Sequence, residues 1–192
     1  ENVFKSVGLE MERKDFQKTV GLRIDEVIAF WNQYKALGIQ DEKAVEDAII
    51  DQMILLVRAN PIPLLGVIDT LEFLKKSDIK IGLATSSPIR LLNAVLSALK
   101  ITEYFDFVHS AEKESYGKPH PVVYISAAKA LCIEPSRCLV IEDSFNGVIA
   151  GKAAKMDVVC IPEKTHEPNP KMNVADYLFE DMSKMLKVLK HD

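Results

Sequence analysis

The chain has 192 residues, 48% of them hydrophobic, and a formal net charge of −4. That suits one domain of roughly 100–200 residues, or one core with a small insert, and the near-balanced charge excludes a global basic field for nucleic acid. No apolar run approaches the roughly 18 residues needed to span a bilayer, and the opening ENVFKSVGLEMERKD has no signal-peptide apolar segment, so no membrane partner is expected.

Along the chain, residues 1–60 show only helical periodicity. Ile24, Val27, Ile28 and Trp31 fall on one stripe, and Val45, Ile49, Met53 and Leu56 on another, which predicts two long helices preceded by one or two shorter ones. Phe30 and Trp31 read as packing residues. Asn60-Pro61-Ile62-Pro63 ends this zone, because a residue before proline avoids the helical region. From residue 64 the pattern alternates. A helix over LLGVIDTLEFLKKS is followed by a strand in IKIGLA, a helix over PIRLLNAVLSALK, a short strand in FDFVHS, and a helix over PVVYISAAKALC. Then come a strand in CLVIE, a helix over NGVIAGKAAK, strands in VVCI and DYLF, and a last helix over SKMLKVLK. Strands alternating with helices predict an α/β fold, a Rossmann-like parallel sheet with helices on both faces. The three cysteines, Cys132, Cys138 and Cys160, form no C-x-x-C pair and read as reduced structural thiols of a cytoplasmic protein.

Ligands of such sheets sit outside the carboxyl ends of the strands, so the residues after each strand carry the functional reading. After IKIGLA come Thr85, Ser86, Ser87 and Pro88. This is a helix start whose free amides and dipole attract an anion, or simply a cap. After FDFVHS, Lys118 lies between Gly117 and Pro119, where its ammonium can neutralise a phosphate; His120 reads as a turn residue. After CLVIE come adjacent carboxylates, Glu142 and Asp143. Paired oxygens at a strand end suit Mg²⁺, which takes one or two protein carboxylates plus water and substrate phosphate; Asp143 or Ser144 could instead cap the next helix. Gly147 to Lys152 is not a phosphate-binding P-loop: the spacing is short, Ala153 replaces Ser/Thr, and the glycines fall inside a helix. Hydroxyl, lysine and acid pair at the ends of successive strands make a site for phosphoryl transfer, which is mostly positioning and charge neutralisation. Thr85 and Ser86 would bind phosphoryl oxygens, Lys118 would offset their charge, and Glu142 with Asp143 would hold Mg²⁺ directly or through water.

GLATSS, GKPHP and IEDSFNG resemble motifs II, III and IV of the haloacid dehalogenase (HAD) superfamily, in the order and spacing of its β-phosphoglucomutase-like branch. TVGLRIDEVIAFW, PLLGV and YGKPHPVVY are similar to the sugar-phosphatase group typified by 2-deoxyglucose-6-phosphatase. The resemblance covers essentially the whole chain. It implies a helical cap over residues 1–60, an α/β core over 61–192, and a substrate-facing cap loop at Gly21-Leu22-Arg23, with Arg23 contacting the far side of the substrate. It also implies a Mg²⁺-dependent phosphatase of small phosphomonoesters, hexose phosphates above all, acting as a cytoplasmic monomer. The family's nucleophile lies in an Asp-x-Asp-Gly motif on the first, central strand, and no Asp-x-Asp occurs in the 192 residues. The expectation is that this strand lies upstream of Glu1, roughly two dozen residues before the cap. Rival readings are a phosphohexomutase of the same branch and, for a chain without the nucleophile, a non-catalytic phosphate-binding protein.

Overall fold

A computed structural model describes residues 2–6, 13–164 and 169–191. Helix α1 (Asn2–Ser6) and a 3-10 turn (Arg13–Thr19) precede two long helices, α2 (Ile24–Lys35) and α3 (Glu42–Ala59). The α2 start is fixed by the Glu26 carboxylate accepting from Arg23 N at 3.0 Å, and Asp41 caps α3 by accepting from Ala44 N at 2.9 Å. The two predicted stripes meet at one end, where Ile28, Trp31 and Val45 are buried together with Phe4, but Met53 and Leu56 of the second stripe are exposed. The Trp31 ring lies edge-on to Phe30 at 5.1 Å.

The remainder alternates. It runs α4 (Val67–Lys76), β1 (Gly82–Thr85), α5 (Ile89–Leu99), β2 (Phe107–Ser110), α6 (Val122–Leu131), β3 (Leu139–Glu142), α7 (Phe145–Ala153), β4 (Asp157–Cys160), β5 (Tyr177–Leu178) and α8 (Met182–Leu189). Every strand pairing is parallel. The strands form two sheets, β1-β2 and β3-β4-β5. Among the described residues β1 and β3 each keep one edge without a strand partner. Each sheet has its own core: Leu71, Ile81, Leu92 and Leu96 around β1 and β2, and Val123, Val140, Val148 and Val158 around β3 and β4.

Coverage on both faces, as expected of parallel strands, is incomplete at β3. Val140 and Glu142 are buried, whereas Leu139 and Ile141 are 45% and 37% exposed. Helix α7 covers one face, and Gly151 lets it approach closely: a Cβ there would lie 2.7 Å from Val158. The DYLF strand shortens to two residues. Cys160 is buried, but Cys132, read as structural, is an exposed free thiol. Among the described residues no helix is long and apolar enough to cross a membrane.

Gly66, entering α4, packs against the start of α8. Its φ is +83°, and a Cβ would lie 2.3 Å from the Ser183 backbone nitrogen. Both the left-handed backbone and the backbone neighbour oppose a side chain. Gly66→Ala should therefore lower stability by about 1–3 kcal/mol, read as a fall in the thermal or urea midpoint; an unchanged midpoint would contradict this packing.

Candidate active site

The strand ends converge on the residues the sequence singled out. Lys118 and Glu142 are both buried, at 5% and 8% exposure, and they are ion-paired through Lys118 Nζ and Glu142 Oε1. Lys118 belongs to the loop after β2 and Glu142 ends β3, so the pair ties one sheet to the other. Tyr124 of α6 donates its hydroxyl to the same carboxylate oxygen, and the Lys118 ammonium lies 4.8 Å from its ring centroid. On the other oxygen, Oε2, Glu142 accepts from Ser144 Oγ at 3.0 Å. Ser144 also starts α7 by accepting from Gly147 N at 3.0 Å. Gly147 is required here: a Cβ would lie 1.9 Å from Glu142 Oε2.

These donors set the charge. Burial alone would push the Glu142 carboxyl up. The Lys118 charge and hydrogen bond, with those of Tyr124 and Ser144, outweigh it and hold the carboxyl below its ordinary value. Burial beside Glu142 holds the Tyr124 hydroxyl protonated far above its usual range. Asp143 differs: it is exposed, yet loss of surrounding water, then the Glu142 charge, push its carboxyl up.

For a divalent cation the donor set is therefore unequal. Glu142 Oε1 already accepts from Lys118 and Tyr124, and Oε2 from Ser144; Asp143 keeps an open carboxylate. No group of three or more His, Cys, Asp or Glu among the described residues could hold a metal. A single open carboxylate fits Mg²⁺, which retains most of its water, and does not fit a metal that needs several protein ligands.

Thr85 ends β1. Its Oγ1 accepts from Ser87 N at 3.0 Å, leaving the hydroxyl proton to donate. No hydrogen bond joins Thr85 to Lys118. Ser86 Oγ donates to Gly21 O at 2.8 Å, and Asn146 Nδ2 donates to Val20 O at 2.9 Å. The Val20–Arg23 loop is thereby seated on the strand ends. Gly21, at φ +86°, permits this, since a Cβ would lie 2.6 Å from Ser144 Oγ. Arg23 Nη1 donates to Glu114 O at 3.0 Å and, at 3.4 Å, to Ala111 O. His120 Nδ1 accepts from Val122 N at 3.3 Å, as a turn residue does.

Sequence reasoning missed three contributors. Tyr124 sits in an apolar helix and drew no reading of its own. Glu112 lies in a polar loop, yet its carboxylate accepts from Ile89 N at 2.9 Å and caps α5. Asn146 read as part of a helix start. None of the three carried a signal, because which helix end the Glu112 loop faces is set by the fold and not by residue identity.

A family model described as haloacid dehalogenase-like hydrolase matches residues 3–155. Hexitol phosphatase B of Escherichia coli (strain K12) is 33% identical over 185 residues, covering 96% of this chain and 83% of the relative. A phosphorylated carbohydrates phosphatase of Thermotoga maritima is 37% identical over 102 residues, 53% of this chain and 45% of the relative. Among solved structures, β-phosphoglucomutase from Clostridium difficile matches at TM-score 0.79 and 22% identity over 99% of this chain and 85% of its own. CbbY from Rhodobacter sphaeroides, a mutant in complex with xylulose-(1,5)bisphosphate, matches at TM-score 0.82 and 21% identity over 95% and 85%. At those identities the two structures share the fold.

Because the folded Glu142 carboxyl lies below its ordinary value of 4.5, its contribution to stability is complete above that value. It is lost as pH falls through the lower folded value. Glu142→Gln leaves Lys118 buried without its counter-charge and should cost about 3–5 kcal/mol near neutral pH. In urea titrations, the gap between wild type and variant should narrow progressively below the ordinary carboxylate value; a gap independent of pH would refute the pairing.

Proposed function

We propose that this chain, which belongs to the haloacid dehalogenase-like hydrolase family, is a Mg²⁺-dependent phosphatase of small phosphorylated sugars. The observation that carries this reading is the strand-end crevice. There a buried lysine is locked on Glu142, the Asp143 carboxylate is left open, and the Thr85 hydroxyl retains its proton. The similarity to a hexitol phosphatase along almost the entire chain supports a polyol or sugar phosphate as substrate.

The residues divide the work. Thr85 donates its hydroxyl to one phosphoryl oxygen, and Ser86 stands beside it. Lys118, held against Glu142 and the Tyr124 ring, presents a fixed positive charge that stabilises negative charge gathering on the phosphoryl group. Asp143 would hold Mg²⁺ directly and Glu142 through water, while Glu142 also orients Lys118. When bound, Mg²⁺ supplies charge neutralisation and alignment of the phosphoryl group. The attacking group in this reading is an aspartate on a strand upstream of Glu1, between the open edges of β1 and β3. Its carboxylate bonds to phosphorus as the ester P–O bond breaks and the leaving sugar oxygen takes a proton from the second aspartate of the same motif; water, giving its proton back to that aspartate, then hydrolyses the aspartyl-phosphate to free aspartate and phosphate. The Val20–Arg23 loop, hydrogen-bonded to Ser86 and Asn146, closes residues 1–60 over the site as a cap and excludes bulk water. The substrate is a small soluble molecule, and the enzyme works as a cytoplasmic monomer.

The full-length protein should release inorganic phosphate from a hexitol or hexose 6-phosphate only with Mg²⁺ present. Asp143→Asn should lower that turnover about 100-fold or more and weaken Mg²⁺ binding by calorimetry. Wild-type Mg²⁺ dependence in this variant would refute the metal assignment. Isomerisation of a hexose 1-phosphate without free phosphate would replace the phosphatase reading with a mutase.

A further inference from the structure

A second cavity of about 210 Å³ opens between the helical residues and the α/β part. It shares Ser86 with the strand-end crevice and is otherwise walled chiefly by Arg23, Asp25, Lys43, Glu46 and Glu112. Two cations and three carboxylates face it, and the cations are already engaged. Lys43 Nζ is paired with Glu46 at 2.9 Å and Asp47 at 3.0 Å. Arg23 Nη2 faces Asp25 at 3.2 Å and Glu26 at 3.5 Å, while Nη1 is spent on backbone carbonyls. The first amide of α5, the natural seat for an anion on this wall, is taken by the Glu112 carboxylate. What stays available is of the opposite kind. Carboxylate lone pairs accept from hydroxyl groups, and Arg23 Nε is a buried N–H with no partner among the described residues.

We propose that this cavity seats the uncharged polyhydroxy tail of a monophosphate and turns away substrates with a second phosphate or a carboxylate. Glu46 and Glu112 are the residues that impose the choice. The inference rests on the phosphatase reading for the reacting end and adds what the other end must be. A second anion would meet a wall with one more carboxylate than cations, and the first main-chain amide of α5 is already taken by Glu112. A hydroxylated chain finds three carboxylates, Asp25, Glu46 and Glu112, along the wall to accept from it. The volume is below the roughly 300–1,000 Å³ of pockets for drug-sized ligands, which suits a short linear or monocyclic sugar.

The test compares three ligands on one carbon frame with the full-length protein: a hexitol 6-phosphate, the hexitol 1,6-bisphosphate, and 6-phosphogluconate. Affinity is read by calorimetry and phosphate release by steady-state assay, with p-nitrophenyl phosphate as a tail-free control. The monophosphate should be preferred at least tenfold in both affinity and kcat/KM. Glu112→Gln and Glu46→Lys should each raise the ratio of bisphosphate to monophosphate at least fivefold. The ratio is internal to each sample, so partial misfolding of a variant cancels. Equal or better binding of the bisphosphate, no binding of any of the three, or ratios unmoved by both variants would each overturn the inference. Turnover of p-nitrophenyl phosphate alongside such a result leaves the phosphatase reading standing. Selective binding of the monophosphate with no turnover of any substrate removes that reading and keeps the tail pocket.

Discussion

The buried pair of Lys118 and Glu142 is the interaction on which the rest of the structure turns. Taking two charges out of water costs several kcal/mol per ion, and a bare pair at a strand end would not recover it. Here the carboxylate also accepts from Tyr124 and Ser144, and the ammonium rests on the Tyr124 ring. Two sheets, each with its own apolar core, are joined at this polar node. The node also decides the division of labour between neighbours in sequence: Glu142 turns inward and is fully engaged, so Asp143 is the carboxylate left to face solvent.

Around the node, conformation is set largely by what is missing from side chains. Gly147 leaves room for the Glu142 carboxylate, Gly21 lets the Val20–Arg23 loop lie on Ser144, and the Glu26 carboxylate sits where a Cβ on Gly117 would be, at 2.5 Å. The helical residues are therefore fitted to the strand ends through backbone, with Ser86, Asn146 and Arg23 supplying directional bonds. Farther out, Arg90 of α5 bridges Asp51 at 2.6 Å and Asp47 at 3.4 Å on α3. These groups are exposed, and such pairs contribute little each; they orient α3 on α5 more than they hold it.

Much of this was legible in the sequence for identifiable reasons. The Ile24–Trp31 and Val45–Leu56 stripes have an unambiguous helical period, and α2 and α3 lie where the stripes run. Thr85, Lys118, Glu142 and Asp143 stood out because an alternating pattern makes strand ends special, whatever the residues there. The inward turn of Glu142 against the outward turn of Asp143 depends on which face of β3 is covered by α7, which the sequence does not state. Tyr124 was hidden because a tyrosine in an apolar helix has the same pattern as a phenylalanine. Glu112 and Arg23 find partners in the backbone, and carbonyls and amides leave no trace in residue identity.

The open edges of β1 and β3 bear on how the polypeptide behaves in company. An unpaired parallel edge is a row of amides and carbonyls in search of a strand, and at β3 it is flanked by the exposed Leu139 and Ile141. Any extended segment nearby, from the same molecule or another, competes for that edge.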